Sequence, residues 1–166
     1  MAESEWFVVN AREGRWADRG PRGLVCSFER EPREFPQVGV NLFVLGPGQP
    51  MSMYHWEADQ EDFLVLSGEA LLIVEDEERP LRAWDFVHTP AGVPHTIVGA
   101  GDGPCAILAV GARANSTGRD WGGYPYSEVA MRHDASAERE TDDPREAYAR
   151  FPERQPAEYR DGWLPS

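Results

Sequence analysis

An all-β fold is predicted by three features of the sequence. Short apolar runs recur at intervals of roughly 8–12 residues, the spacing of strands in a sandwich or barrel. Glycine (16) and proline (14) are both frequent, which favours turns over long helices. Several runs are closed by strong turn sequences, such as Gly46-Pro47-Gly48 and Pro90-Ala91-Gly92-Val93-Pro94.

Taken in order, residues 5–9 (EWFVV) and 23–28 (GLVCSF) read as strands, with a polar loop between them. The run 37–45 (QVGVNLFVL) is a stronger strand. Residues 51–57 alternate in character, and 62–67 and 69–75 are apolar runs split by Gly68. DEERP is read as a turn, and the charged run Glu75–Arg79 as a solvated one. Strands follow at 84–89, 95–99 and 105–112. The predicted organisation is N-terminal strands and loop over 1–34, a core over 35–112, and a loop, short helix and arm over 113–166. Thr141-Asp142-Asp143-Pro144 is a helix start, with an acidic cap and proline in the first turn. That helix is expected to reach about Arg150 and stop before Pro152. The tail carries Tyr159 and Trp163; an arm packed on the core or on a neighbouring subunit, and a frayed end, both remain open.

Composition narrows the function. The chain has 166 residues, enough for one domain with a substantial core. Its formal charge is −13, and all sixteen basic residues are arginine. Nucleic acid is therefore excluded as an expected partner, because binding it needs a basic face. No apolar run approaches the roughly 20 residues that cross a bilayer. The N-terminus shows no signal-peptide pattern, so a cytoplasmic protein is expected, with Cys26 and Cys105 reduced and buried.

The chemistry concentrates in two places. A strand alternates its faces, so Met51, Met53, His55 and Glu57 are expected on one face. Glu61 follows across a short turn and can return to the same pocket. His95 opens a strand directly after a rigid proline-glycine turn. Charged groups inside an apolar barrel are costly unless paired, neutralised or bound to a metal. His88 is read as a core or inter-sheet histidine, and His133 as solvated. Six tryptophans are many for this length, and Trp56 and Trp84 are candidates for a patch between sheets or subunits.

These residues resemble the two motifs of the cupin family. His55, Glu61 and Gly68 fit the first, with Glu57 where its second histidine stands and Gln49 where its leading glycine stands. Pro90, Gly92 and His95 fit the second, with Trp84 and Gly99 replacing its first glycine and final asparagine. The resemblance covers roughly residues 35–112. It implies a cupin-type double-stranded β-helix, a jelly-roll barrel, with a short C-terminal helix and extended arm.

The resemblance further implies one divalent metal ion per chain (Fe, Mn, Ni or Zn), held by His55, Glu61 and His95. Glu57 is open: a fourth ligand, a general base beside a two-histidine, one-carboxylate triad, or the mark of an empty site. The implied activity is that of a small-molecule metalloenzyme, of dioxygenase or isomerase type. The alternative is a non-catalytic ligand-binding or structural cupin. A small organic molecule and a second copy of the chain are the expected partners.

Overall fold

A computed structural model describes residues 6–29, 34–116 and 120–166. Its strands are β1 (Arg15–Asp18), β2 (Leu24–Ser27), β3 (Val38–Leu45), β4 (Trp56–Glu57), β5 (Glu61–Ser67) and β6 (Glu69–Val74). They continue with β7 (Glu77–Arg82), β8 (Phe86–Thr89), β9 (His95–Ala100), β10 (Cys105–Ala112), β11 (Gly122–Gly123) and β12 (Gln155–Ala157). Two single-turn helices, α1 (Glu128–Met131) and α2 (Pro144–Ala147), complete the chain. The predicted all-β class stands, and the strands pair antiparallel.

The larger sheet has seven strands in the order β12-β1-β2-β3-β10-β5-β8. At its centre β10 pairs with β3 along its whole length, from Cys105↔Leu45 to Ala112↔Val38. A second sheet places β6 between β7 and β9. Alternate residues of the two sheets face each other across one core. Leu45, Phe63, Val65 and Ile107 come from the first sheet, and Leu72 and Ile97 from the second. Each fully buried side chain of this kind contributes about 1.5–3 kcal/mol, so this apolar contact is what holds the sheets together.

Several local features depart from the sequence expectations, each for a physical reason. Residue 5 lies outside the described residues, and residues 6–9 form no strand. Trp6 in this segment is 82% exposed. Within the stretch read as a loop, β1 pairs with β2 and with β12 of the arm. The arm is anchored there by Trp16, whose ring lies 5.1 Å from that of Trp163 and 5.9 Å from that of Tyr159. The acidic turn is shorter than expected. Glu75 and Asp76 both adopt positive φ (49° and 60°), the conformation of a tight hairpin, and the remaining charged residues continue as β7. The helix after Asp143 is a single turn. Asp143 does cap it, accepting a hydrogen bond from the Arg145 N–H.

Trp84 has φ +76° and is 73% exposed. It occupies the place of a motif glycine, and the backbone keeps the glycine-like conformation: its N–H donates to Val65 O at 2.7 Å, setting β8 beside β5. A left-handed residue with a Cβ costs about 1–2 kcal/mol. The ladder and core around it absorb that cost.

The end of β10 is tied to the segment after β2 by Arg113. Its guanidinium pairs with Glu29 and donates to Phe35 O at 2.8 Å, while Glu29 also accepts from the Phe35 N–H at 2.9 Å. Burial of the Glu29 carboxyl opposes its ionisation, but the hydrogen bonds and charge of Arg113 outweigh it and lower the pKa. A carboxyl lowered on folding stabilises the fold above its unfolded pKa of about 4.3, and that contribution is lost as the pH falls through the folded value. Glu29→Gln should therefore be less stable than the wild type by about 1 kcal/mol at pH 7. The two urea-unfolding curves should converge as the pH is lowered into the carboxyl range; a gap that persists there would contradict this tie.

Candidate metal centre

The site begins with a backbone contact. His55 and His95 face each other as an isolated antiparallel bridge, His55 N–H to His95 O at 3.1 Å and His95 N–H to His55 O at 2.9 Å. Residues directly opposite in such a pair project to the same side, so both imidazoles enter one space. The residues before His55 are irregular rather than the alternating strand expected from sequence. Met51 joins the central core, whereas Met53 packs with Tyr124, Ala137 and Ala147. The shared face predicted for Met51, Met53, His55 and Glu57 thus fails at Met53.

Both imidazoles are oriented the same way. Nδ1 of His55 meets Met53 O at 2.8 Å, and Nδ1 of His95 meets Val93 O at 2.9 Å. A carbonyl only accepts, so each Nδ1 carries a proton, and Nε2 is the atom that offers a lone pair when the imidazole is neutral. Glu61 opens β5, which is paired on both edges, and its carbonyl accepts from Thr89 Oγ1 at 2.8 Å. Its Oε2 lies 3.3 Å from His55 Nε2 and 3.1 Å from His95 Nε2. Yet Glu61 Oε2 and His95 Nε2 are both buried with no well-directed hydrogen bond.

These atoms fit a metal ion. One ligand atom each from His55, Glu61 and His95 lies within 4.8 Å of the other two. Ligands about 2.0–2.2 Å from a divalent ion stand about 3 Å apart when at right angles, close to the separations found. Two imidazoles with one carboxylate form a set suited to Fe²⁺, Mn²⁺, Ni²⁺ or Zn²⁺. Glu57, at the end of β4, is placed differently. Its Oε1 is 3.4 Å from His55 Nε2, it has no ion pair with His95, and its side chain is partly exposed. The geometry brings three of the four candidate residues to one point and leaves Glu57 beside them.

Without an ion, the charges must balance one another. Burial opposes ionisation of Glu61, but the two imidazoles beside it hold its carboxyl far below the usual range. Burial opposes protonation of His55, but Glu57 and Glu61 outweigh it and raise its pKa well above 6.5. The buried acid therefore relies on protonated imidazole for compensation, a role a cation would take over.

A cavity of about 400 Å³ opens over the cluster. Phe43, Met51 and Phe63 form apolar wall, and Arg19, Arg22, Tyr124 and Tyr148 supply polar groups. The two tyrosines lie in segments read as loop and helix, and no sequence motif marked them. Tyr124 stacks 5.8 Å from the His55 ring and 5.7 Å from that of Tyr148. Burial, Tyr148 and the acids Glu57 and Glu61 all push its phenol pKa far up, so it keeps its proton. The other histidines lie elsewhere. His88 is exposed rather than core, with Nδ1 2.5 Å from Asp62, and His133 contacts Glu78 at 2.7 Å. Cys26 and Cys105 are free and buried, and burial raises both thiols to about 11, which leaves them unreactive.

Residues 41–111 match the family model of the cupin domain. The chain carries a cupin domain. Solved structures resemble this chain as well. The polyketide cyclase RemF from Streptomyces resistomycificus is 16% identical, over 65% of this chain and 80% of that one, with TM-score 0.56. A Cupin 2 conserved barrel domain protein from Salinispora arenicola is 23% identical, over 66% and 89%, with TM-score 0.52. At such identities these two establish the fold alone. A sugar phosphate isomerase of the cupin superfamily from Silicibacter pomeroyi is 30% identical, with TM-score 0.49. The match covers 63% of each chain, less than two thirds of the isomerase. No curated protein matches the sequence. Among the described residues, no helix is long and apolar enough to cross a membrane.

The cluster makes a direct prediction for metal content, read by elemental analysis of purified protein. The wild type should carry about one divalent ion per chain, and His95→Ala and Glu61→Gln less than about a tenth of that. Glu57→Gln should keep its metal. Equal content in wild type and His95→Ala would remove the site.

Proposed function

We propose that this cupin is a divalent-metal-dependent enzyme that moves a proton on a small, oxygen-rich organic molecule, an isomerase-type reaction. The observation that carries this reading is the pairing of two acid–base groups beside the three-residue cluster. Glu57 is a carboxylate left outside the cluster, and Tyr124 is a phenol held protonated. A carboxylate can accept a proton and a protonated phenol can donate a hydrogen bond, so the two are suited to opposite roles.

His55, Glu61 and His95 would hold the ion, which supplies Lewis-acid polarisation of a substrate oxygen when bound. Glu57 is suited to accept a proton from the hydroxyl-bearing carbon next to the polarised carbonyl and to return it to the former carbonyl carbon, while the hydroxyl proton passes to the carbonyl oxygen, so that hydroxyl and carbonyl exchange places. Tyr124 is suited to donate a hydrogen bond to the oxygen on which negative charge develops. Phe43, Met51 and Phe63 exclude water from that face of the substrate, which strengthens each of these interactions. The cavity volume suits a small molecule rather than a polymer.

A second reading has its own support. Two histidines and one carboxylate are also the ligand set of non-haem iron oxygenases. Self-association is supported by the exposed Trp84 and Phe86 at the sheet edge formed by β8.

The test is hydrogen exchange from deuterated water into a panel of α-hydroxy carbonyl compounds, followed by NMR with Mn²⁺-loaded enzyme. Exchange should proceed without oxygen, and Glu57→Gln should slow it by about 10²–10⁴-fold while keeping its metal. Turnover that requires oxygen would favour the oxygenase reading. Binding without exchange or turnover would leave a ligand-binding module.

A further inference from the structure

The cavity over the cluster has a second polar feature. In a chain of net charge −13, three arginines line it: Arg19, Arg22 and Arg113. Arg113 is neutralised by Glu29. Arg19 and Arg22 have no acidic partner among the described residues, and both contribute a buried Nε with no hydrogen bond.

Both come from one tight connection. Residues Gly20–Arg22 form a single 3₁₀ turn between β1 and β2, begun by Gly20 and followed by Gly23, both at positive φ, and closed by Arg19 N–H donating to Gly23 O. Arg19 is 6% exposed. Its Nη1 donates to Met51 O at 2.7 Å and its Nη2 to Arg22 O at 2.5 Å, so it is fixed in place with its charge uncompensated. The Arg22 guanidinium lies 4.5 Å from the Tyr148 ring centre and 5.4 Å from that of Phe151. It makes no hydrogen bond among the described residues. Stacking holds the plane of a guanidinium and leaves its N–H edge free for a bidentate anion.

Burying two like charges side by side is unfavourable. Burial and the charge of Arg22 pull Arg19 down to about 9, and burial lowers Arg22 as well. The acids in the same cavity do not provide the compensation. Glu57 and Glu61 pair with the histidines, and a divalent ion at the cluster would match their two negative charges. That leaves Arg19 and Arg22 as positive charge without a counter-ion. Continuity along the cavity wall is also clear: Arg22 packs on Tyr148, Tyr148 on Tyr124, and Tyr124 on His55.

We propose that Arg19 and Arg22 bind the anionic end group, a carboxylate or a phosphate, of the molecule whose oxygen-bearing end faces His55, Glu61 and His95. This assignment rests on the metal-centre reading for its charge balance and narrows the substrate class to small anionic compounds. Arg22 is the group that meets the anion. Arg19 supplies field and holds the turn.

The experiment is calorimetric titration of Mn²⁺-loaded protein with inorganic phosphate and, separately, malonate. Wild type should bind at least one of them, and affinity should fall at least about tenfold in Arg22→Gln, a change of about 1.4 kcal/mol. Arg22→Lys should recover part of the loss. Tighter phosphate binding assigns a phosphate end group, and tighter malonate binding a carboxylate. Melting temperature checks that Arg22→Gln remains folded; should it not, the Arg22→Lys comparison decides, with equal affinity to wild type for both anions counting against the site. No binding of either anion to wild type, or equal binding to folded Arg22→Gln, would overturn the proposal. Metal content is read on the same samples and separates the two ideas. Anion binding lost with metal retained in Arg22→Gln supports the arginine site, whereas metal missing from wild type with anion binding intact overturns only the metal centre.

Discussion

The two hydrogen bonds between the backbones of His55 and His95 bring together segments that are far apart in the chain, and the site depends on them. They sit at the end of a longer zipper. Met51 N–H donates to Ile97 O at 2.8 Å, and Pro50 bridges Val98. Strand β9 is itself held by six paired residues of β6, from Glu69↔Ala100 to Val74↔His95. Each imidazole then uses the carbonyl two residues before it to fix its proton on Nδ1. The same local device on both sides turns both Nε2 atoms toward Glu61. Without the bridge, a buried carboxylate would face neither base nor metal, a cost of several kcal/mol that this core would have to carry.

The surrounding cavity extends that logic. Its floor is acidic and imidazole-lined, its wall carries two phenols, and it includes two arginines without counter-ions. Several of its charged groups are fixed by neutral partners: carbonyls for Arg19 and the imidazoles, an aromatic face for Arg22, the backbone of Thr89 and Gly111 for the strand that carries Glu61. Fixing charges through neutral groups leaves their fields directed into the cavity. Preorganisation of that kind is the main resource an enzyme has for stabilising developing charge.

Much of the fold and half of the site were legible in the sequence, because they rest on local signals. Pro90, Gly92 and His95 fix a turn and a strand start. Gly68 sits at φ +75°, with the Pro104 carbonyl only 2.5 Å from where a Cβ would lie. Gly99 stands in place of a motif asparagine for an equally local reason: a Cβ there would collide with the Gly46 carbonyl. Long-range pairing was not legible. Strand β1 and the arm strand β12 stabilise each other through Trp16, Tyr159 and Trp163, and neither has a marked pattern alone. Tyr124 and Arg22 belong to the site only because the chain folds back over it, so no spacing rule could flag them. Trp84 illustrates the reverse case, in which the motif residue changed and the backbone conformation did not.

The most direct test of the metal centre is anomalous diffraction from crystals soaked in Mn²⁺ or Zn²⁺. The expected result is one strong peak about 2.0–2.3 Å from His55 Nε2, His95 Nε2 and a Glu61 oxygen, with Glu57 outside bonding distance. A peak bound by Glu57 in place of one of those three, or no peak at the cluster, would contradict it.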